Sequence, residues 1–183
     1  MNDLSQVLVT ERLIVRPYTL DDVTPAWREL YSGPPVWGPQ SREQVEEAVT
    51  MAVLMSRSAD DKAWAKRAVV LKENGMLIGQ VRLSPSHNYF YRWEEEPVTR
   101  YNSVEVELAF VFGRSYWGQS YAFEASQAMI RFAFEDLRLP RLVNGTGDDN
   151  IRSINLHRRL GFQIFRALPN DDGVVAVLDN DLV

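Results

Sequence analysis

The sequence contains no cysteine among its 183 residues. This absence excludes disulfide bonds, thiolate metal ligands and any covalent mechanism through a cysteine nucleophile. Only two histidines are present, His87 and His157, and they lie far apart along the chain. Because a histidine-rich metal site needs several such ligands close together, we expect no metal cofactor.

Long apolar runs and an excess of positive charge are also missing. No window approaches the ~20 consecutive apolar residues of a membrane-spanning helix. The first eleven residues lack the basic patch and apolar run of a secretion signal. A formal net charge of −5 argues against a general nucleic-acid-binding protein, which usually carries a basic stripe. We therefore expect a cytoplasmic protein that binds neither membranes nor nucleic acids.

The first half of the chain alternates between strand and helix patterns. Leu13–Val15 predicts a strand, and Asp21–Tyr31 predicts a short helix. A capping-box pattern at Ser41–Gln44 predicts the start of a helix that continues to about Arg57. Asn74-Gly75 lies between two β-rich runs and predicts a hairpin turn.

The segment after residue 103 carries the most information. Apolar residues alternate strictly from Val104 to Phe112, which predicts a strand with Glu105 and Glu107 on one face. The following loop, Ser115–Ala122, leads into a helix. The start of a helix has unpaired backbone N–H groups and the positive end of the helix dipole, so this junction suits a phosphate-bearing ligand.

The rest of the chain continues the alternation of helix and strand. Helical spacing of apolar residues from Ala122 predicts a helix that reaches about Leu137. A strand at Arg141–Thr146 precedes a helix at Asn150–Leu160, and a final strand pair follows. We predict a single α/β (α+β) domain over residues 1–183, with a mixed, largely antiparallel sheet and about four helices.

Three sequence patterns together resemble the GNAT superfamily of N-acetyltransferases, most closely its ribosomal-protein N-terminal acetyltransferase-like (RimJ/RimL-type) branch. Thr10–Pro17, followed by Asp21-Asp22, is similar to the opening pattern TERLxLRP…DD. Glu107–Ala125 is similar to the signature E-I-G-Y…YWGKGYATEA, and Asn150–Phe162 matches NxxS…KLGF. The patterns occur in the correct order and cover almost the whole chain.

The resemblance implies both a fold and an activity. The GNAT fold has a twisted sheet of about six to seven strands in which a central parallel pair splays apart. The activity would be transfer of an acetyl group from acetyl-CoA to a primary amine, on a protein N-terminus or a small molecule, by direct attack in a ternary complex. The protein would be a monomer or a homodimer. A catalytically degenerate acyl-CoA sensor or protein-interaction module of the same fold is the alternative.

The resemblance also assigns residues to the cofactor. The strand backbone before the loop would pair with the pantetheine arm, and the loop amides would face the pyrophosphate. Ser120 replaces a second glycine of the pattern, which is favoured where the backbone approaches a phosphate closely or adopts a positive φ. The implied cofactor-binding residues are Phe110, Val111, Phe112, Trp117, Gly118, Gln119, Ser120, Tyr121, Ala122, Asn150 and Ser153.

The implied catalytic residues are Glu107, Ser153 and His157. Glu107 would accept a proton from the amine, because an ammonium has no lone pair with which to attack a thioester. Ser153 would lie near the thioester sulfur. His157 would protonate the departing thiolate, since its pKa lies near neutrality. The alternatives are a solvated Glu107 on an exposed sheet face and a purely capping role for Asn150.

Two irregular loops, Ser32–Gln40 and Ser84–Ser103, would select the acceptor. The substrate-binding residues predicted there are Trp37, Tyr89 and Tyr91, with Glu105 on the adjoining strand. Aromatic rings can line a pocket for an amine, and carboxylates attract a cation. A packed hairpin with an acidic edge, or a dimer contact, explains the same loop residues equally well. A surface position without a substrate role is the preferred expectation for Glu105.

Overall fold

The computed structural model describes residues 7–33, 38–39, 41–87, 104–166 and 173–181. Its strands are β1 (Leu8–Val9), β2 (Leu13–Pro17), β3 (Arg67–Leu71), β4 (Leu77–His87), β5 (Val104–Phe112), β6 (Arg141–Thr146), β7 (Gln163–Arg166) and β8 (Val174–Asp179). Its α-helices are α1 (Val23–Ala26), α2 (Arg42–Arg57), α3 (Tyr121–Arg131) and α4 (Ile151–Arg159). Helix α1 continues into a π-helical turn, Trp27–Tyr31, and α3 into another, Phe132–Asp136.

The eight strands form one sheet in the order β1-β2-β3-β4-β5-β6-β8-β7. The pair β5–β6 is parallel, whereas β1–β2, β2–β3, β3–β4, β6–β8 and β7–β8 are antiparallel. The predicted fold class, a mixed and largely antiparallel sheet with four helices, is confirmed. The additional strand is β1, whose two residues are too few to show a period in the sequence.

The chain divides into two compact units. The first comprises Met1–Leu83 and Phe110–Met129, and the second comprises Ser84–Ala109 and Ile130–Val183. Among the described helices, none combines the length and the apolar character that a membrane crossing requires.

Helix α2 supplies much of the core of the first unit. Its N-cap is Ser41, whose side-chain oxygen accepts a hydrogen bond from the backbone N–H of Gln44 at 3.3 Å, as the capping-box pattern predicted. The buried residues of α2 recur on one face of the helix because their spacing follows the helical repeat. They are Val45, Val49, Ala52 and Val53, and they pack with buried residues of α1 and β3.

Strand β3 is buried along its whole length. The predicted hairpin joins it to β4, where Gly75 has a φ of 72° and the N–H of Leu71 donates to the carbonyl oxygen of Met76 at 2.9 Å. A strand whose five residues are all buried shows no alternation, because both of its faces lie against protein.

The second unit is organised around β6 and β8. These strands pair at six register positions, and β8 pairs with β7 at four. Val143, Val175 and Val177 form a buried apolar cluster. Helix α4 ends where Gly161 adopts a φ of 93°, as the sequence predicted from this glycine.

The end of β5 approaches the first π-helical turn very closely. The N–H of Gly113 donates to the carbonyl oxygen of Ile78 at 3.0 Å. A Cβ atom at Gly113 would lie 2.4 Å from the backbone oxygen of Glu29. Because this contact is with backbone, a side chain at Gly113 cannot be accommodated by a rotamer change.

We predict that Gly113→Ala lowers the free energy of unfolding by about 1–3 kcal/mol, the usual effect of overpacking a tight site. Urea denaturation measures this change. Gly33→Ala is the matched control, because a Cβ atom at Gly33 meets no other atom within 4 Å. Equal free energies of unfolding for the two variants would contradict the prediction.

Candidate active site

The loop between β5 and α3 contains two residues with left-handed backbone. Gly118 has a φ of 78° and Ser120 a φ of 63°. The expectation that the position of Ser120 can require a positive φ is therefore confirmed. A residue with a Cβ atom in this conformation carries about 1 kcal/mol of strain, which glycine would avoid.

Side chains of the loop fold back on its own backbone. The indole Nε1 of Trp117 donates to the carbonyl oxygen of Phe112 at 2.8 Å. The amide Nε2 of Gln119 donates to the carbonyl oxygen of Ser115 at 3.1 Å. These two bonds give the loop a defined shape immediately before α3 begins at Tyr121.

The N-terminal segment also contacts the loop, which sequence reasoning missed. The carboxylate of Glu124, in the first turn of α3, accepts hydrogen bonds from the Thr10 hydroxyl at 2.6 Å and from the Arg12 N–H at 2.8 Å. Burial opposes ionisation of Glu124, but these bonds and the Arg12 guanidinium outweigh it and lower the pKa of the carboxyl. Both partners lie within the family-like patterns, yet neither pattern indicates that the two segments meet.

In the second unit, β5 and β6 pair at a single register position, Glu107 opposite Val143. The next residue of β6, Asn144, is buried, and its side-chain Nδ2 donates to the carbonyl oxygen of Leu108 at 2.9 Å. A side chain thus supplies a hydrogen bond between these parallel strands. Sequence reasoning missed Asn144; its signal was an amide directly after the apolar pair Leu142-Val143 within the strand.

Glu107 and Glu105 lie two residues apart on β5 but differ in their surroundings. Glu107 is half-buried, whereas Glu105 is buried, which corrects the expectation that Glu105 lies at the surface. Arg141 Nε lies 4.0 Å from a Glu105 oxygen and 3.2 Å from an Asp179 oxygen. Burial raises the pKa of Glu105, Arg141 lowers it, and Asp179 raises it further. Glu105 therefore belongs to a small charge network.

Asn150 caps α4, as the sequence predicted. Its Oδ1 accepts a hydrogen bond from the Ser153 N–H at 3.2 Å, and its Nδ2 donates to the Thr146 hydroxyl oxygen at 3.1 Å. The cap joins the end of β6 to the start of the helix. It fixes the position of Ser153 in the first turn of α4.

His157 is fully buried, so the structure disfavours the predicted role as a general acid. Its Nδ1 lies 2.8 Å from the carbonyl oxygen of Ser153 and 3.4 Å from the Ser153 hydroxyl, and its ring meets Phe162 edge-on. Burial lowers the pKa of the imidazole, and the hydrogen bond with the Ser153 carbonyl only partly opposes this. A neutral, buried ring is poorly suited to give a proton to a leaving group at neutral pH.

Six further predicted site residues fall into two groups. Trp37, Tyr89 and Tyr91 lie outside the described residues. Phe110 and Val111 are half-buried on β5, whereas Phe112 is buried with its ring packed against Gly79.

We predict that His157 makes stability depend on pH. Its folded-state pKa is below the ordinary value of 6.5, so the unfolded chain binds the proton more readily. The contribution of the neutral ring is complete above pH 6.5 and is lost as the pH falls below that value. Wild-type protein should lose more stability between pH 7.5 and pH 5.5 than His157→Gln, which cannot titrate. Urea denaturation at both pH values measures the difference, and parallel losses would contradict the prediction.

Comparison with protein-family models matches residues 12–163 to the acetyltransferase (GNAT) domain. The chain is 24% identical over 161 residues to the uncharacterized N-acetyltransferase YnaD of Bacillus subtilis, a match that covers 85% of this chain and 82% of YnaD. It is 26% identical over 161 residues to the uncharacterized N-acetyltransferase p20 of Bacillus licheniformis, covering 86% and 83% of the two chains.

Solved structures of acetyltransferases share the fold. An acetyltransferase from Agrobacterium tumefaciens superposes with a TM-score of 0.70 at 26% identity, covering 94% of both chains. A ribosomal-protein-S5-alanine acetyltransferase from Vibrio fischeri gives 0.68 at 16% identity, covering 96% and 97%. RimL, a ribosomal L7/L12 α-N-protein acetyltransferase in complex with coenzyme A, gives 0.64 at 15% identity, covering 96% and 99%. The family model spans most of the sequence, and the chain therefore belongs to the GNAT family of acetyltransferases.

Proposed function

We propose that this acetyltransferase moves an acetyl group from acetyl-CoA to a primary amine by direct attack in a ternary complex. The observation that carries the proposal is the shaped loop with left-handed residues Gly118 and Ser120, immediately before the N-terminus of the 11-residue helix α3. Such a junction directs backbone N–H groups toward an anion. The likeness to RimL, whose structure contains coenzyme A, supports coenzyme A as the source of that anion.

The family resemblance assigns a donor contact to each of these segments. The N–H groups of residues 118–122 would bind the pyrophosphate, and the backbone of Phe110–Phe112 would pair with the pantetheine arm. Asn150 and Ser153, at the start of α4, would contact the thioester end of the arm. We propose that the acetyltransferase domain comprises residues 1–183.

Glu107 is the proposed base. Its carboxylate would take a proton from the ammonium, either directly or through one water molecule. The neutral nitrogen would then attack the thioester carbonyl carbon, the new C–N bond would form, and the C–S bond would break. The proton that this nitrogen loses as the amide forms would pass to the released thiolate, with the Ser153 hydroxyl as the proposed group beside the sulfur. Because His157 is fully buried, we propose that it supports α4 and does not act as the acid.

The proposed acceptor is a primary amine, with a protein N-terminal α-amine favoured over a lysine. An α-amino group with a pKa of ~7.8 is roughly one-seventh neutral at pH 7, whereas a lysine at ~10.4 is neutral a few times in ten thousand. A single carboxylate base therefore has to deprotonate a smaller fraction of an α-amine than of a lysine. The named ribosomal-protein acetyltransferases among the structural neighbours act on proteins, which is consistent with this preference.

A thermal-shift titration combined with a thiol-release assay tests this function. A ligand at about 100 times its dissociation constant stabilises the protein by ~2.7 kcal/mol, so acetyl-CoA should raise the melting temperature measurably. Short peptides with free α-amines, N-terminally blocked peptides and lysine derivatives form the acceptor panel. Free thiol should appear fastest with the α-amine peptides. If acetyl-CoA caused no rise in melting temperature and no thiol were released with any acceptor, the proposal would be contradicted.

Glu107→Gln should lower kcat/KM for the amine at pH 7 by roughly 10²- to 10⁴-fold, the usual contribution of a general base. The defect should shrink as the pH rises, because the amine then loses its proton without help. The KM for acetyl-CoA should change little. Glu105→Gln is the matched control on the same strand, and its effect on the amine should be smaller. Initial rates between pH 6 and 9.5 measure these effects, and an unchanged rate for Glu107→Gln would remove this residue from the mechanism.

A further inference from the structure

Arg12 holds the loop before α3 from outside that loop. Its Nε lies 2.7 Å from the Glu124 carboxylate, and its Nη1 donates to the carbonyl oxygen of Gln119 at 3.1 Å. Its guanidinium carbon lies 4.5 Å from the centre of the Tyr121 ring. One side chain thus contacts the loop and the first turn of α3, and all of these residues belong to the first unit.

The bond to Gln119 acts on a strained piece of backbone. Gln119 lies between Gly118 and Ser120, both of which have positive φ. Its carbonyl and the N–H of Ser120 belong to one planar trans peptide, so they point in opposite directions. When Arg12 draws the Gln119 oxygen toward itself, the Ser120 N–H is directed away from Arg12. The contact therefore orients one of the amides proposed to bind phosphate, and it opposes relaxation of the strain at Ser120.

The bond to Glu124 offsets the negative charge of that carboxylate. Glu124 lies in the first turn of α3, at the same helix end as the proposed pyrophosphate site. Its hydrogen bonds from Thr10 and Arg12 lower its pKa against the opposing effect of burial, so the carboxylate is ionised at neutral pH. An ionised carboxylate beside an anion site repels the anion. The guanidinium of Arg12, at 2.7 Å, offsets this repulsion.

We propose that Arg12 is a positioning residue for the phosphates of coenzyme A. It orients the Gln119–Ser120 peptide and neutralises Glu124, and in this way it sets the affinity of the loop for the pyrophosphate. The inference rests on the proposed function. It gives a role to Arg12, which lies in the family-like pattern Thr10–Pro17 but had no role assigned from the sequence. In this proposal Arg12 acts through its contacts with the loop and the helix.

Equilibrium binding of two probes tests the inference without a known acceptor. Coenzyme A carries the phosphates, whereas pantetheine shares the arm and lacks them. Arg12→Gln should weaken coenzyme A binding about tenfold, the factor that ~1.4 kcal/mol produces, and should leave pantetheine binding unchanged. Isothermal titration calorimetry, or competition against a reporter ligand, measures both affinities.

Arg16→Gln is the matched control. Arg16 lies four residues further along the N-terminal segment and forms a two-bond ion pair with Asp22, at 2.7 and 2.8 Å. The substitution therefore removes an ion pair comparable to that of Arg12. Among the described residues, the side-chain hydrogen bonds of Arg16 go to Pro17 and Asp22, and neither lies in the loop before α3. Both probes should bind Arg16→Gln as they bind the unmodified protein. Urea denaturation of each variant confirms that the binding measurements are made on folded protein.

Two further variants separate charge from geometry. Arg12→Lys keeps the positive charge but lacks the planar guanidinium, whose Nε meets Glu124 while its Nη1 meets Gln119. It should recover only part of the lost affinity for coenzyme A. The double variant Arg12→Gln with Glu124→Gln should also bind coenzyme A more tightly than Arg12→Gln alone, because the repelling carboxylate is gone.

Several outcomes would overturn the inference. Arg12 would have only a structural role if Arg12→Gln weakened the binding of coenzyme A and of pantetheine equally. The same conclusion would follow if folded Arg12→Gln bound coenzyme A as tightly as the unmodified protein. Failure of the double variant to recover affinity would remove the neutralising role. If the unmodified protein bound no coenzyme A at all, the proposed function itself would fail, and this result is distinguishable because it needs no substitution.

Discussion

A parallel strand pair that meets at one register position imposes a constraint on the second unit. Backbone N–H and C=O groups in the interior of a sheet must find partners. β6 meets β8 at six positions but β5 only at Glu107 opposite Val143. The Asn144 side chain supplies a further bond, to the Leu108 carbonyl, from a buried position. This pairing fixes the position of Glu107, because the backbone of Glu107 itself pairs with Val143.

The two glutamates of β5 show how an identical residue type acquires different roles on one strand. Strand periodicity places both on the same face. Glu105 is buried within reach of Arg141 and Asp179, so its carboxylate is already engaged by the protein. Glu107 is half-buried and lies nearer the loop before α3 along the chain. The two carboxylates therefore differ in burial although they share one face of the strand.

Local patterns were sufficient to predict most of the helices and strands. Helix α2, the Asn74-Gly75 hairpin, strand β6 and the Asn150 cap each depend on residues within a few positions of one another. The positive φ of Ser120 was also accessible, through the glycine that the family pattern has at that position. Periodicity and capping rules describe the chain over one or two turns, which is why these features were predictable.

The remaining features depend on residues that are distant in sequence. Arg12 and Glu124 are 112 positions apart, and Leu108 and Asn144 are 36 apart. The burial of His157 depends on how α4 packs, which residue type alone does not reveal. Nothing in a window of ten or fifteen residues indicates such pairs. A family resemblance names residues near a site, but it does not state which of them hold one another in place.

The contact between residues 10–12 and Glu124 has a consequence for how the protein folds. Forming it closes a loop of more than a hundred residues, and the entropy lost in such closure must be offset by other contacts formed first. The antiparallel strands β2, β3 and β4 follow one another in the chain and can associate earlier. During refolding, the loop before α3 would therefore reach its final shape late, after most of the first unit is in place. Competence to bind the proposed donor would then mark the completion of folding of the first unit.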